Sequence, residues 1–128
     1  VDQPREILKS FCPNYVEMTP SGTENICCGG GGGTVSIDEI MPYRTLVGGK
    51  MKADQISSSG CEILVAPCAN CKKQLKELVA HHKLPCEVMG LHDLILKAID
   101  IPGGLSAKER MKQAAPALPS GTAVRSML

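Results

Sequence analysis

Aromatic surface is almost missing from this chain, which has no Trp, one Phe and two Tyr in 128 residues. Bases would find little to stack on, and a net charge of +1 supplies no excess of Lys and Arg to neutralise phosphates. Nucleic acid is therefore not an expected partner. The chain also lacks an apolar N-terminal signal and any apolar run of membrane length. Seven cysteines cannot all pair within one chain, so the thiols are expected to be reduced and the protein cytoplasmic. The first residue is Val1, opening directly onto polar, helix-forming sequence, and the chain is expected to be an internal or processed piece of something longer.

What the chain does hold is sulfur and glycine in an uncommon order. Cys27 and Cys28 run straight into Gly29, Gly30, Gly31, Gly32 and Gly33, and Cys68-Ala69-Asn70-Cys71 follows after an interval of 39 residues. Thiolates are the soft ligands that select iron-sulfur clusters or zinc. Adjacent cysteines on a strand would point to opposite faces, so Cys27 and Cys28 can serve one site only if the backbone leaves the extended region, which the glycines permit. A cluster with several metals eases that constraint, and the amides of Gly29, Gly30 and Gly31 can donate to its electron-rich sulfurs. The same four thiols would also suit a structural zinc site without a redox role. A dinucleotide or phosphate loop is not supported, because neither Gly-Lys-Ser/Thr nor a preceding hydrophobic strand accompanies the glycines.

The hydrophobic pattern, with 43% apolar residues, predicts one domain of repeating strand, turn and helix, hence an α/β fold with a small parallel sheet and flanking helices. Pro4 to Phe11 reads as a helix and Tyr15 to Met18 as a strand. Ser36 opens a capped helix that Pro42 kinks or interrupts, and Lys50 to Ser57 is helical with Met51 and Ile56 inward. Glu62 to Ala66 is the clearest buried strand. Ala69 to Lys83 is an amphipathic helix carrying Cys71, Leu75, Leu78, Val79 and His82 on one stripe. Cys86 to Met89 is a short strand, and Leu91 to Ile101 a helix with Leu94, Ile95, Ala98 and Ile99 inward. The division expected is residues 1–103 as the cysteine-rich domain and 104–128 as a flexible tail, mobile or docked on a partner.

This placement puts Cys68 and Cys71 where a buried strand becomes a helix, so unpaired amides and the helix dipole favour their thiolates. Cys12, Cys61 and Cys86 are expected core thiols, with Cys12 and Cys61 as reserve ligands. His81, His82 and His92 are expected to be structural or solvated, and Lys72, Lys73 and Lys76 to form a solvated helix face. The five-glycine loop gives up much backbone entropy on ordering, so only ligation is expected to hold it.

The double cysteine with Gly29, and the later pair continuing as Lys72-Lys73-Gln74-Leu75, resemble the cysteine-rich CCG domain of the heterodisulfide reductase catalytic subunit family. With Gly90-Leu91-His92-Asp93-Leu94, the stretch is most similar to iron-sulfur subunits of membrane-bound redox complexes of sulfate-reducing bacteria. The resemblance covers roughly residues 1–101. It implies an iron-sulfur oxidoreductase subunit with a [4Fe-4S] cluster, noncubane in some members, held by Cys27, Cys28, Cys68, Cys71 and one upstream cysteine. That fifth ligand precedes a Pro-Arg helix in relatives and so would fall before Val1. Other subunits of a redox complex are the implied partners, a disulfide or related sulfur compound the implied substrate, and attachment at the membrane would run through those partner subunits.

Overall fold

A computed structural model describes residues 2–99, 109 and 124–126 of the chain. Among the described residues the sheet has four strands in the order β1-β4-β2-β3, all parallel, formed by Tyr15–Glu17, Val124–Ser126, Ile63–Ala66 and Glu87–Gly90. The fold is thus α/β, with a small parallel sheet between helices. Strand β2 is buried along its whole length, as expected of a central strand covered on both faces, which needs a continuous apolar run rather than alternation.

Two cores lie against the sheet. On one face Leu64, Ala66 and Val88 pack with Met18, Cys28, with Ile56 from α3 (Lys50–Ser59), and with Leu75 and Leu78 from α4 (Ala69–His82). On the other, Ile63, Val65 and Met89 meet Leu8 of α1 (Gln3–Phe11) and Leu91 and Leu94 of α5 (Leu91–Ala98). Period-two alternation along β2 therefore assigns its side chains to the two helical layers in turn.

Several expectations need correction. The tail was expected to be mobile or held by a partner, yet Val124–Ser126 lies between β1 and β2 in this chain's own sheet. The other residues of 104–128, except Glu109, fall outside the described residues. Three residues are too few for the hydrophobic pattern to register as a strand. Ser36 does not cap a helix: Thr34–Ser36 and Asp38–Ile40 are 3-10 turns. Pro42 does not kink a helix but sits inside its first turn at Met41–Tyr43 (α2), where its missing N–H costs nothing. A π-helical turn, Arg44–Gly48, follows. Met51 is 67% exposed while Lys52 is fully buried, and helix α5 ends at Ala98 with Ile99 47% exposed. Of the lysines expected on a solvated face, Lys73 and Lys76 are exposed, while Lys72 pairs with Asp93 and Lys73 also donates to the carbonyl oxygen of Val35.

Arg44 is buried and donates to Gln74 Oε1 and, at 2.5 Å, to Glu77 Oε2 of α4. It ties the π-helical turn to the helix that carries Cys71. Removing one member of such a pair leaves the other desolvated and uncompensated. Because Glu77 keeps some contact with water, we expect Arg44→Ala to cost about 2–3 kcal/mol, read from urea unfolding; a loss below about 0.5 kcal/mol, the level of ordinary surface substitutions, would contradict this assignment.

Candidate metal centre

Strand β2 ends at Ala66, and after Pro67 the chain reaches Cys68, the N-cap residue of α4. The amides of Cys71 and Asn70 in the first turn, together with the Cys71 thiol, hold the Cys68 thiol below its ordinary range. This is the expected effect of a helix N-terminus on a thiolate. One turn on, Cys71 is half-buried. Burial, then its hydrogen bond to Cys28, push its thiol up to about 12. The pair is thus divided into an exposed, acidic thiol and a retracted, protonated one.

Cys28 reaches Cys71 from the glycine loop. Cys28 is buried, and its Sγ lies 3.5 Å from Cys71 Sγ. The Gly29 amide donates to Cys27 Sγ and the Gly30 amide to Cys28 Sγ, each at 3.4 Å. Glycine amides therefore do turn toward sulfur here. Cys27 is exposed. None of the seven cysteines is joined in a disulfide.

The loop is not the unsupported span expected. Gly30 is buried against α4 so closely that a Cβ on it would stand 2.7 Å from Gln74 Cβ and 2.8 Å from Val35 Cγ1. Gly29 has φ +82°, and a Cβ on it would stand 3.2 Å from the Gly48 backbone. Thr34 Oγ1 donates to the carbonyls of Gly31 and Gly29. Packing thus fixes the first two glycines, and the entropy of the remainder is offset by a side chain just beyond the run.

The hydrophobic pattern concealed Lys52. Its ammonium is sealed in the protein, donating to Gln55 Oε1 at 2.6 Å and Asn25 Oδ1 at 3.0 Å. Burial lowers it to about 8, while Cys28, Cys27 and Cys71 pull the other way. A buried cation therefore faces the thiols. No periodicity marks it, because a lysine in a helix is ordinarily assigned to water. The reserve ligands lie elsewhere: Cys12 packs in the core on the other face of the sheet, and Cys61 is hydrogen-bonded to Cys86.

The donor set is chemically suited to iron-sulfur ligation, with soft thiols, a thiolate-favouring helix terminus, amides directed at sulfur and a nearby positive charge. Among the described residues, no three His, Cys, Asp or Glu side chains converge on one point as a single ion would require. The site also lies beyond the carboxyl end of β2, where open parallel sheets generally bind ligands.

Residues 2–76 match the CCG family, described as a cysteine-rich domain. The chain belongs to this family. It is 32% identical over 105 residues to an Hdr-like menaquinol oxidoreductase iron-sulfur subunit 2 of Archaeoglobus fulgidus, covering 77% of this chain and 19% of the relative. The corresponding iron-sulfur subunit of Archaeoglobus profundus is 30% identical over 105 residues, covering 77% of this chain and 18% of the relative. The chain thus spans about a fifth of the length of these curated relatives. No solved structure matches it. Among the described residues, no helix is long and apolar enough to cross a membrane.

Proposed function

We propose that this chain is an iron-sulfur electron-transfer module of a heterodisulfide-reductase-like oxidoreductase. Cys27, Cys28, Cys68 and Cys71 hold a [4Fe-4S] cluster, with Gly29, Gly30 and Gly31 lining it. Such a cluster would supply one-electron transfer and an iron able to take a substrate sulfur. The chain's own part is to present thiolates at the α4 terminus, direct amides at sulfur and keep a buried ammonium close to the charge. The approach of Cys28 to within 3.5 Å of Cys71 carries this reading, because it joins two motifs that are distant in sequence.

The substrate class is a disulfide or related sulfur compound, reached in company with other subunits of a redox complex at a membrane surface. Met41, Tyr43, Leu46, Val47 and Met51 are exposed along the segment that follows the glycine loop. Apolar surface concentrated in this way favours contact with a partner protein.

Anaerobic reconstitution of the protein with its natural flanking sequence, followed by iron counting and EPR, is the test. We expect a brown protein with several irons per chain and a cluster signal on reduction, lost in Cys28→Ser and Cys71→Ser. A colourless protein holding one zinc and no iron would overturn the proposal in favour of a structural site.

A further inference from the structure

Cys61 and Cys86 lie outside the candidate metal centre, at the opposite end of the sheet. Cys61 precedes β2 and Cys86 precedes β3, and the Glu87 amide donates to the Glu62 carbonyl at 2.8 Å where these two strands begin to pair. The register places Ile63 opposite Glu87, so Glu62 and Cys86 fall level and Cys61 lies one residue further out. Cys86 alternates onto the same face as Val88. Cys61 joins that core too, because the backbone before β2 has left strand geometry. The two side chains are hydrogen-bonded thiol to thiol. Cys61 is sealed at 3% exposure and Cys86 is half-open to solvent.

We propose that Cys61 and Cys86 form a second redox dithiol, independent of the metal centre, which small disulfides oxidise reversibly to an intrachain disulfide. Neighbouring parallel strands run about 4.8 Å apart, and the one-residue stagger adds about 3.3 Å along the strand, which puts the two Cα atoms about 5.8 Å apart, within the roughly 4.4–6.8 Å that a disulfide spans. The bond therefore forms without moving the sheet. Strand β2, about 13 Å long at about 3.3 Å per residue, separates this pair from Cys68.

The chemistry is two successive thiol-disulfide exchanges. Cys86, the accessible partner, gives its proton to solvent, and its sulfur attacks one sulfur of the small disulfide. That S–S bond breaks, one thiol leaves, and the other half stays on Cys86 as a mixed disulfide. Cys61 then loses its proton and attacks Cys86 Sγ, expelling the second thiol. The protein loses two electrons, and the small disulfide gains them as two thiols. The bond to Cys61, then burial, hold the proton on Cys86, so the exchange runs over minutes to hours rather than seconds.

The test uses the unaltered chain, metal-free, with glutathione disulfide as the probe. After alkylation of remaining thiols, proteolysis and mass spectrometry, we expect a peptide pair crosslinked through Cys61 and Cys86 in most chains. It should vanish with dithiothreitol, and the far-ultraviolet circular dichroism should not change. Cys86→Ser should abolish the crosslink yet keep the full iron content after reconstitution, so this dithiol and the metal centre can fail separately. Glutathione retained on Cys86 with Cys61 still reduced would overturn the proposal, as would Cys61 crosslinked to Cys68 or Cys71, or no oxidation at either residue.

Discussion

Alanine at Gly30 should reduce iron retention by about 10–100-fold, the range seen when a group that orients metal ligands is lost, while alanine at Gly31 should change it little. The two positions are adjacent and identical in sequence, but their surroundings differ. A Cβ on Gly30 would lie 2.7 Å from Gln74 Cβ, an atom fixed by its own helix. Only the loop can yield, and moving it withdraws Cys28 from Cys71. A Cβ on Gly31 would meet nothing within 4 Å. Overpacking at Gly30 should also cost about 1–3 kcal/mol of stability. Iron per chain after anaerobic reconstitution, set beside urea unfolding of both variants, reads the two effects. Equal iron in Gly30→Ala and Gly31→Ala would show that the loop's close approach to α4 does not position the cysteines.

That contrast marks a limit of the sequence. A run of glycines announces that backbone must go where side chains cannot, but not which glycine is pressed against what. The layers were legible because β2 and α4 carry strong apolar periods, and the approach of Cys28 to Cys71 was legible from thiol chemistry and spacing. Lys52 and Arg44 were not. Burial of a cation depends on partners brought from far along the chain, Asn25 in one case and Gln74 with Glu77 in the other. Strand β4 escaped for a related reason: its three residues gain their place from parallel neighbours at Tyr15 and Ile63, which no local window contains.

Buried ionisable groups lead to the last expected result: the reduced, metal-free protein should be most stable near pH 9 and lose stability above it. Lys52 is a base whose folded value, about 8, lies below its ordinary 10.5. Between those values the unfolded chain binds a proton that the folded chain lacks, so this group makes stability rise with pH. Cys68, held below 9.0, acts in the same direction as pH approaches 9. The retracted thiols act oppositely. Burial raises Cys71 to about 12; the bond to Cys61, then burial, raises Cys86; burial raises Cys12, all from an ordinary 9.0. Above pH 9 the unfolded chain releases these protons while the folded chain keeps them, and stability falls. Each net proton is worth about 1.4 kcal/mol per pH unit. With Lys52 opposing the thiols, the net is one to two protons, so we expect a decline of about 1.5–3 kcal/mol from pH 9 to pH 10. Cys86→Ser should make the decline shallower, and Lys52→Met should make it steeper while removing the rise between pH 8 and 9. Urea unfolding from pH 7 to 10.5 under reducing, anaerobic conditions measures all three chains. Stability that kept rising past pH 9 would mean that Cys71 and Cys86 ionise as readily folded as unfolded, and that the sulfur atoms are wetter than their packing implies.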